Sequence, residues 1–200
     1  MLFIAYYTRN TPYEQEAVAL RASLDALGLW YDIRGVDSLG SWQKNTQYKA
    51  RFVREMLNTH LGPMTYIDVD ALVLQPPVLL DTLDCDIAAA KFGGHELLSG
   101  TVYFGNTPKS RETVDRWIAL CEQYPDRFPG GLLPHFPSGC LAWDQRMLDI
   151  AIRQTGAGFV ELPPEYTYIV ELSQKRYPGV QPVILHTRGS LRFKAQIDGR

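Results

Sequence analysis

Cysteine is scarce in this chain, and its three thiols, Cys85, Cys121 and Cys140, show no CxxC or CxxH spacing. An odd, scattered set argues against a disulfide framework and against a zinc site, and it fits a reducing, cytoplasmic setting. Charge of one sign is also missing: the formal net charge is -2 over 200 residues, with no block of lysine or arginine. A dedicated nucleic-acid binder relies on clustered cations that release counterions, so no nucleic acid is expected as a partner, and any polyanion must be held locally. No run approaches the roughly 20 apolar residues of a membrane span, so no transmembrane segment is expected. The opening Leu2-Phe3-Ile4-Ala5-Tyr6-Tyr7 has neither the basic flank nor the length of a signal peptide. Internal repeats, low-complexity stretches and linkers are absent as well. These exclusions leave one globular α/β unit over residues 1–200, because 46% hydrophobic residues suffice for a full core and the length falls short of two ordinary domains.

What is present alternates between strand and helix patterns. The opening run predicts a strand, and Thr11-Pro12-Tyr13-Glu14 predicts a helix start with Thr11 as N-cap and Glu14 completing a capping box. Ala17, Leu20, Leu24 and Leu27 repeat at helical spacing up to Gly28, and Leu29 to Ile33 reads as a second strand. A second helix is expected from about Asn45 to Leu61, with Phe52, Val53, Met56 and Leu57 on one face. Further on, the pattern predicts a short helix at Val78 to Leu83, strands at Ile87 to Ala90 and Thr101 to Phe104, and a helix opened by Thr107-Pro108. A helix at Asp144 to Gln154 follows, then strands at Phe159 to Leu162 and Val183 to His186. The span Pro125 to Pro137 holds four prolines and two glycines among apolar Phe128, Leu132, Leu133 and Phe136, which predicts a long loop acting as a lid or acceptor wall.

The chemistry concentrates in Met64-Thr65-Tyr66-Ile67-Asp68-Val69-Asp70, an apolar, β-branched run with two aspartates one residue apart at its end, which reads as a buried strand ending in an acidic turn. Residues two apart in a strand share a face, so both carboxylates are expected to point the same way. At ~6 Å and an effective dielectric of ~20 they repel by roughly 3 kcal/mol, so a cation is expected between them. A second apolar run ends on His186 and continues Thr187-Arg188-Gly189-Ser190-Leu191-Arg192-Phe193-Lys194, which joins a glycine that permits close backbone approach to three cations. That combination suits a diphosphate. Asp84-Cys85-Asp86 repeats the acidic spacing but reads as a helix-to-strand turn. Asp144 after the proline loop has two readings, helix cap or site residue. Lys49 likewise sits either on a solvated helix face or within reach of a nucleotide, and His95-Glu96, after Gly93-Gly94, reads either as a plain loop or as part of the site lining.

Taken in order, these landmarks resemble the nucleotide-sugar glycosyltransferases of the GT-A fold, in particular the glycogenin-like and lipooligosaccharide galactosyltransferase group. The resemblance rests on Asn10 and Tyr13 after the first strand, Asp68-Val69-Asp70, Ser99-Gly100 as a turn entering a strand, Asp144-Gln145, and a terminal His-x-x-Gly with Arg192 where the family has lysine and Lys194 two residues later. Leu98 stands where the family usually has asparagine. The resemblance implies a Rossmann-like α/β/α sandwich with a mostly parallel central sheet. It implies transfer of a sugar from a nucleoside diphosphate donor, UDP-linked, to a glycan or other hydroxyl acceptor. Asp68, Asp70 and His186 are then ligands to Mn²⁺ (or Mg²⁺), a nitrogen donor favouring Mn²⁺. Tyr7, Thr8, Asn10, Lys49, Asp68, Gly189, Arg192 and Lys194 contact the donor nucleotide, and Asp144 and Gln145 face the reacting sugar carbon. Two other readings stay open: a non-catalytic binding module of the same fold, and a haloacid dehalogenase-type phosphohydrolase, whose active site also opens on hydrophobic-Asp-x-Asp.

Overall fold

Side chains of the first strand, β1 (Leu2–Thr8), alternate between two cores: Ile4 and Tyr6 enter one, Phe3 and Ala5 the other. A strand buried on both faces belongs at the centre of a parallel sheet. The computed structural model describes residues 1–127, 132 and 138–187. Through these the chain runs α1 (Tyr13–Ala26), β2 (Trp30–Val36), α2 (Trp42–Thr59), β3 (Met64–Ile67), β4 (Ala71–Val73), a 3-10 turn (Val78–Thr82), β5 (Ile87–Phe92), β6 (Glu96–Phe104) and α3 (Pro108–Gln123). Next come α4 (Asp144–Thr155), β7 (Phe159–Glu161), a 3-10 turn (Pro164–Thr167), β8 (Tyr168–Ile169), α5 (Val170–Arg176) and β9 (Ile184–His186). The expected lid, Pro125 to Pro137, lies largely outside the described residues, as do Gly189, Arg192 and Lys194.

Six strands form the central sheet in the order β2-β1-β3-β6-β5-β7. The β1–β2, β1–β3 and β5–β7 pairs are parallel, while β6 is antiparallel to both neighbours, so β6 alone opposes the rest. The expected mostly parallel α/β/α sandwich is what forms. One face carries α2, α3 and α4 over a core that includes Phe52, Met56, Trp117 and Leu148. The other face is covered by α1 through Leu20 and Leu24, and by a second sheet, β4-β9-β8, through Val73 and Ile184. Truncating a fully buried ring such as Phe52 to alanine costs about 3–5 kcal/mol.

Local chemistry sets the element ends. Thr107 accepts from the Ser110 N–H at 3.0 Å and Pro108 occupies the first turn, as expected for α3. Thr11 Oγ1 accepts from the Tyr13 N–H at 3.3 Å, whereas Glu14 reaches past the expected partner to the Asn10 N–H at 2.9 Å. Helix α2 begins at Trp42, ahead of the predicted Asn45, because Ser41 caps it by accepting from the Lys44 N–H at 3.3 Å. Strand β3 stops at Ile67 and the two aspartates lie in the expected acidic turn, closed by Ala71 N–H donating to Asp68 O at 3.0 Å, so they do not alternate within a strand. One expectation is corrected. Ser99-Gly100 is not a turn entering a strand but the interior of β6, which already begins at Glu96.

Candidate active site

Ligands of α/β sheets gather beyond the carboxyl ends of the parallel strands, where neighbouring connections diverge. Here β1 and β3 end side by side, at Thr8 and Ile67. The turn after β3 is pinned from two sides: Asp68 N–H donates to Gly100 O at 2.8 Å, and Asp70 O accepts from both the N–H and the hydroxyl of Thr187 at 3.0 Å. Strand β4 pairs with β9 so that Ala71 stands opposite His186. Candidate ligand atoms of Asp68, Asp70 and His186 consequently lie within 4.8 Å of one another. The predicted convergence is present, but a turn and a second sheet produce it rather than strand alternation.

Asp68 divides its oxygens. Oδ1 accepts from Lys49 Nζ at 2.9 Å and from the Tyr66 hydroxyl at 3.0 Å, while Oδ2 looks toward Gly100 and His186. Lys49 is 4% exposed, so the solvated-face reading is corrected: its ammonium bridges Asp68 and Asp144 Oδ2, both at 2.9 Å, and also donates to the Ser99 carbonyl and hydroxyl at 3.2 and 3.1 Å. Burial alone would lower the Lys49 pKa, and the Asp144 and Asp68 charges outweigh it and hold the pKa above its ordinary value. Burial pushes the Tyr66 phenol well up, with Asp68 adding to it. Burial also lowers the His186 pKa to about 4, against the opposing pull of Asp68, so the imidazole is neutral at physiological pH. Its Nε2 lies 3.0 Å from Thr101 Oγ1; when Nε2–H donates to that hydroxyl, Nδ1 keeps its lone pair for a ligand.

The capping reading of Asp144 also yields. Trp143 is the cap residue, and the Asp144 carboxylate turns inward, accepting from Ser99 Oγ at 2.7 Å, while the Asp144 carbonyl accepts from the Trp117 indole at 2.9 Å. Gln145 Nε2 donates to Glu96 Oε1 at 2.9 Å. A cleft of about 410 Å³ joins these groups and is lined by Tyr7, Thr8, Lys49, Asp68, Asp70, Asp144, Gln145 and His186, all expected at the site. Asn10 is not among the lining residues; it is exposed in the loop before α1, with φ of 59°. Tyr66, Trp42 and Thr101 went unpredicted in their roles. Tyr66 had a signal, being two residues before Asp68. Lys49 had one too, since it precedes Phe52, Val53 and Met56 at helical spacing and so shares their buried face. The decoy Asp84-Cys85-Asp86 is structural, as expected: Asp86 accepts from Gly158 N–H at 2.7 Å and Thr107 Oγ1 at 2.5 Å.

The residues fit a divalent cation. Two carboxylates and a neutral imidazole converge, and Gly100 leaves the room they need, since a Cβ there would sit 2.8 Å from His186 Cε1 and 3.4 Å from Asp68 Oδ2. Beside them, Asp68 and Asp144 share the ammonium of Lys49.

No family model and no curated protein matches the sequence. Solved structures do. A glycosyltransferase involved in glycosylation of the major capsid of PBCV-1 superposes with a TM-score of 0.70 at 11% identity, over 99% of this chain and 96% of that one. The galactosyltransferase LgtC, solved with donor and acceptor sugar analogues, superposes with a TM-score of 0.60 at 13% identity, over 100% and 95%. Mouse xyloside xylosyltransferase 1 does so with a TM-score of 0.55 at 11% identity, over 93% and 97%. On these superpositions this chain has the GT-A fold of those glycosyltransferases.

Proposed function

We propose that residues 1–200 act as one glycosyltransferase unit that moves a sugar from a UDP-linked donor to an acceptor hydroxyl, with Mn²⁺ (or Mg²⁺) held by Asp68, Asp70 and His186. The observation that carries this reading is the convergence of those three side chains beyond the ends of β1 and β3, in a cleft sized for a nucleotide sugar. When bound, the ion supplies Lewis-acid stabilisation of the departing diphosphate. The protein's own groups do the rest. Tyr7, Thr8 and Tyr13 line the cleft beside the end of β1, where base and ribose would lie. Arg192 or Lys194 would share the diphosphate charge, and Gly189 would let the backbone approach it closely. Lys49 and Ser99 fix the Asp144 carboxylate in one orientation, so a constant negative charge faces the sugar as positive charge develops at its reacting carbon. Gln145, next in α4, is oriented by Glu96. The three unpaired thiols support a reducing, cytoplasmic setting, and no helix among the described residues is long and apolar enough to cross a membrane.

Turnover of a nucleotide-sugar panel with Mn²⁺ tests the reading. Release of UDP, lost on adding EDTA and in Asp70→Asn, is the expected result. Release of inorganic phosphate would indicate the phosphohydrolase chemistry instead, and absence of both a binding module.

A further inference from the structure

At the far end of the cleft the β5–β6 hairpin turns through residues 93–95, with Gly93 and Gly94 at φ of 68° and 76°. Its last pair, Phe92 opposite Glu96, carries two side chains on one face, and both line the cleft. A register shift between Ala89 and Lys91, the kind of bulge that re-aims side chains near sites, separates this tip from the regular part of the hairpin. Leu98, two residues along β6, and Leu172 on α5 extend the apolar surface beside Phe92. Glu96 is held from behind, since Gln145 donates to Oε1 at 2.9 Å and Arg146 approaches the same oxygen at 4.0 Å. No hydrogen bond to Oε2 from a described residue accompanies them, so the carboxylate is oriented through one oxygen and keeps the other for a donor. Gln145 follows directly on Asp144, so the amino-terminal turn of α4 ties the hairpin tip to the centre of the site.

We propose that Phe92 and Glu96 form the acceptor-binding edge of this cleft and that they select a neutral sugar. The inference rests on the glycosyltransferase reading above and deepens it. A pyranose has an apolar C–H face and a rim of hydroxyls. An aromatic ring beside leucines matches the first, and an oriented carboxylate with one oxygen left for a hydroxyl donor matches the second. An anionic acceptor meets the Glu96 carboxylate instead. Among the described cations nearby, Lys49 is shared between Asp68 and Asp144, Arg146 is engaged with Glu96 and stacks on Trp143 at 4.4 Å, and Arg176 lies 5.7 Å over the Phe92 ring, so none is aimed at the open Glu96 oxygen. Glu96 acts as a specificity residue, and no proton transfer to it is required.

The test begins with UDP and Mn²⁺ binding by calorimetry, which judges the parent reading alone. On the UDP–Mn²⁺ complex, binding of methyl galactoside, methyl glucoside, N-acetylglucosamine and glucuronic acid is then measured by ligand-observed NMR. At least one neutral sugar is expected to bind, with glucuronic acid weaker by roughly tenfold or more. Glu96→Gln should weaken that neutral sugar by roughly tenfold while UDP affinity stays within about twofold, and Phe92→Leu, which keeps an apolar side chain, should weaken it similarly. If UDP binds but no neutral sugar does, if glucuronic acid binds as well as the neutral sugars, or if both variants bind sugar like the wild type, the proposal is wrong.

Discussion

Lys49 is the residue on which the charge balance of the site turns. Its ammonium is shared between Asp68 and Asp144 in a setting where water contributes little, so replacing it leaves a buried carboxylate uncompensated. Lys49→Met is expected to cost about 3–5 kcal/mol, read as a lower urea midpoint at unchanged m-value. Adding Mn²⁺ should recover part of it, because Asp68 regains a cation. A loss under about 1 kcal/mol would mean that the two carboxylates are adequately solvated without it. His186 gives a pH prediction of definite sign. Its folded pKa of about 4 lies below the ordinary 6.5, so above 6.5 both folded and unfolded forms are neutral and stability is at its full value. As pH falls from 6.5 toward about 4 the unfolded chain takes a proton that the folded chain excludes, and stability is lost across that window. In EDTA, His186→Gln should flatten this slope; an unchanged slope would assign it to other groups.

Elements that present the same tripeptide can serve opposite ends. Asp86, at the entry to β5, ties three pieces of chain together, whereas Asp70 sits between two sheets and faces the cleft. Asp86→Ala should cost about 1–3 kcal/mol in unfolding with Mn²⁺ affinity unchanged, and Asp70→Asn should do the reverse. Both variants losing metal affinity alike would erase the distinction. The elements that could be read from sequence were those with strong local chemistry: Thr107-Pro108 opening α3, the apolar stripe of α2, the paired aspartates and His186. Those that could not were decided at a distance. Strand β8 is two residues long and α5 seven, too short for any period to show; β8 is held by pairing with β9, and α5 packs on β8. The acidic turn after β3 was legible, but β4 beyond it was not, because its three residues are held in a second sheet by pairing with β9. Likewise the metal-site triad and Asp144 were legible, while the inward turn of Asp144 depends on Ser99 and Lys49, 45 residues away on β6 and wholly buried on α2.

For the whole molecule, the described groups of the candidate site sit on strands and helices or in a turn pinned between two sheets, so ligand binding should register as global stability. UDP with Mn²⁺ at about 100 times the dissociation constant should add about 2.7 kcal/mol, seen as a raised thermal midpoint that EDTA reverses. An unmoved midpoint, with binding confirmed by calorimetry, would mean that the unfolded chain binds as well. One feature of the architecture reaches beyond equilibrium. Asp70 is fastened by Thr187, 117 residues further along, and His186 beside it completes the triad. A growing polypeptide that has left the ribosome only through β7 therefore holds both aspartates but neither the imidazole nor the strand that closes the turn. The Asp68, Asp70 and His186 cluster is thereby assembled only once β9 has been made, although both aspartates are in place more than a hundred residues earlier.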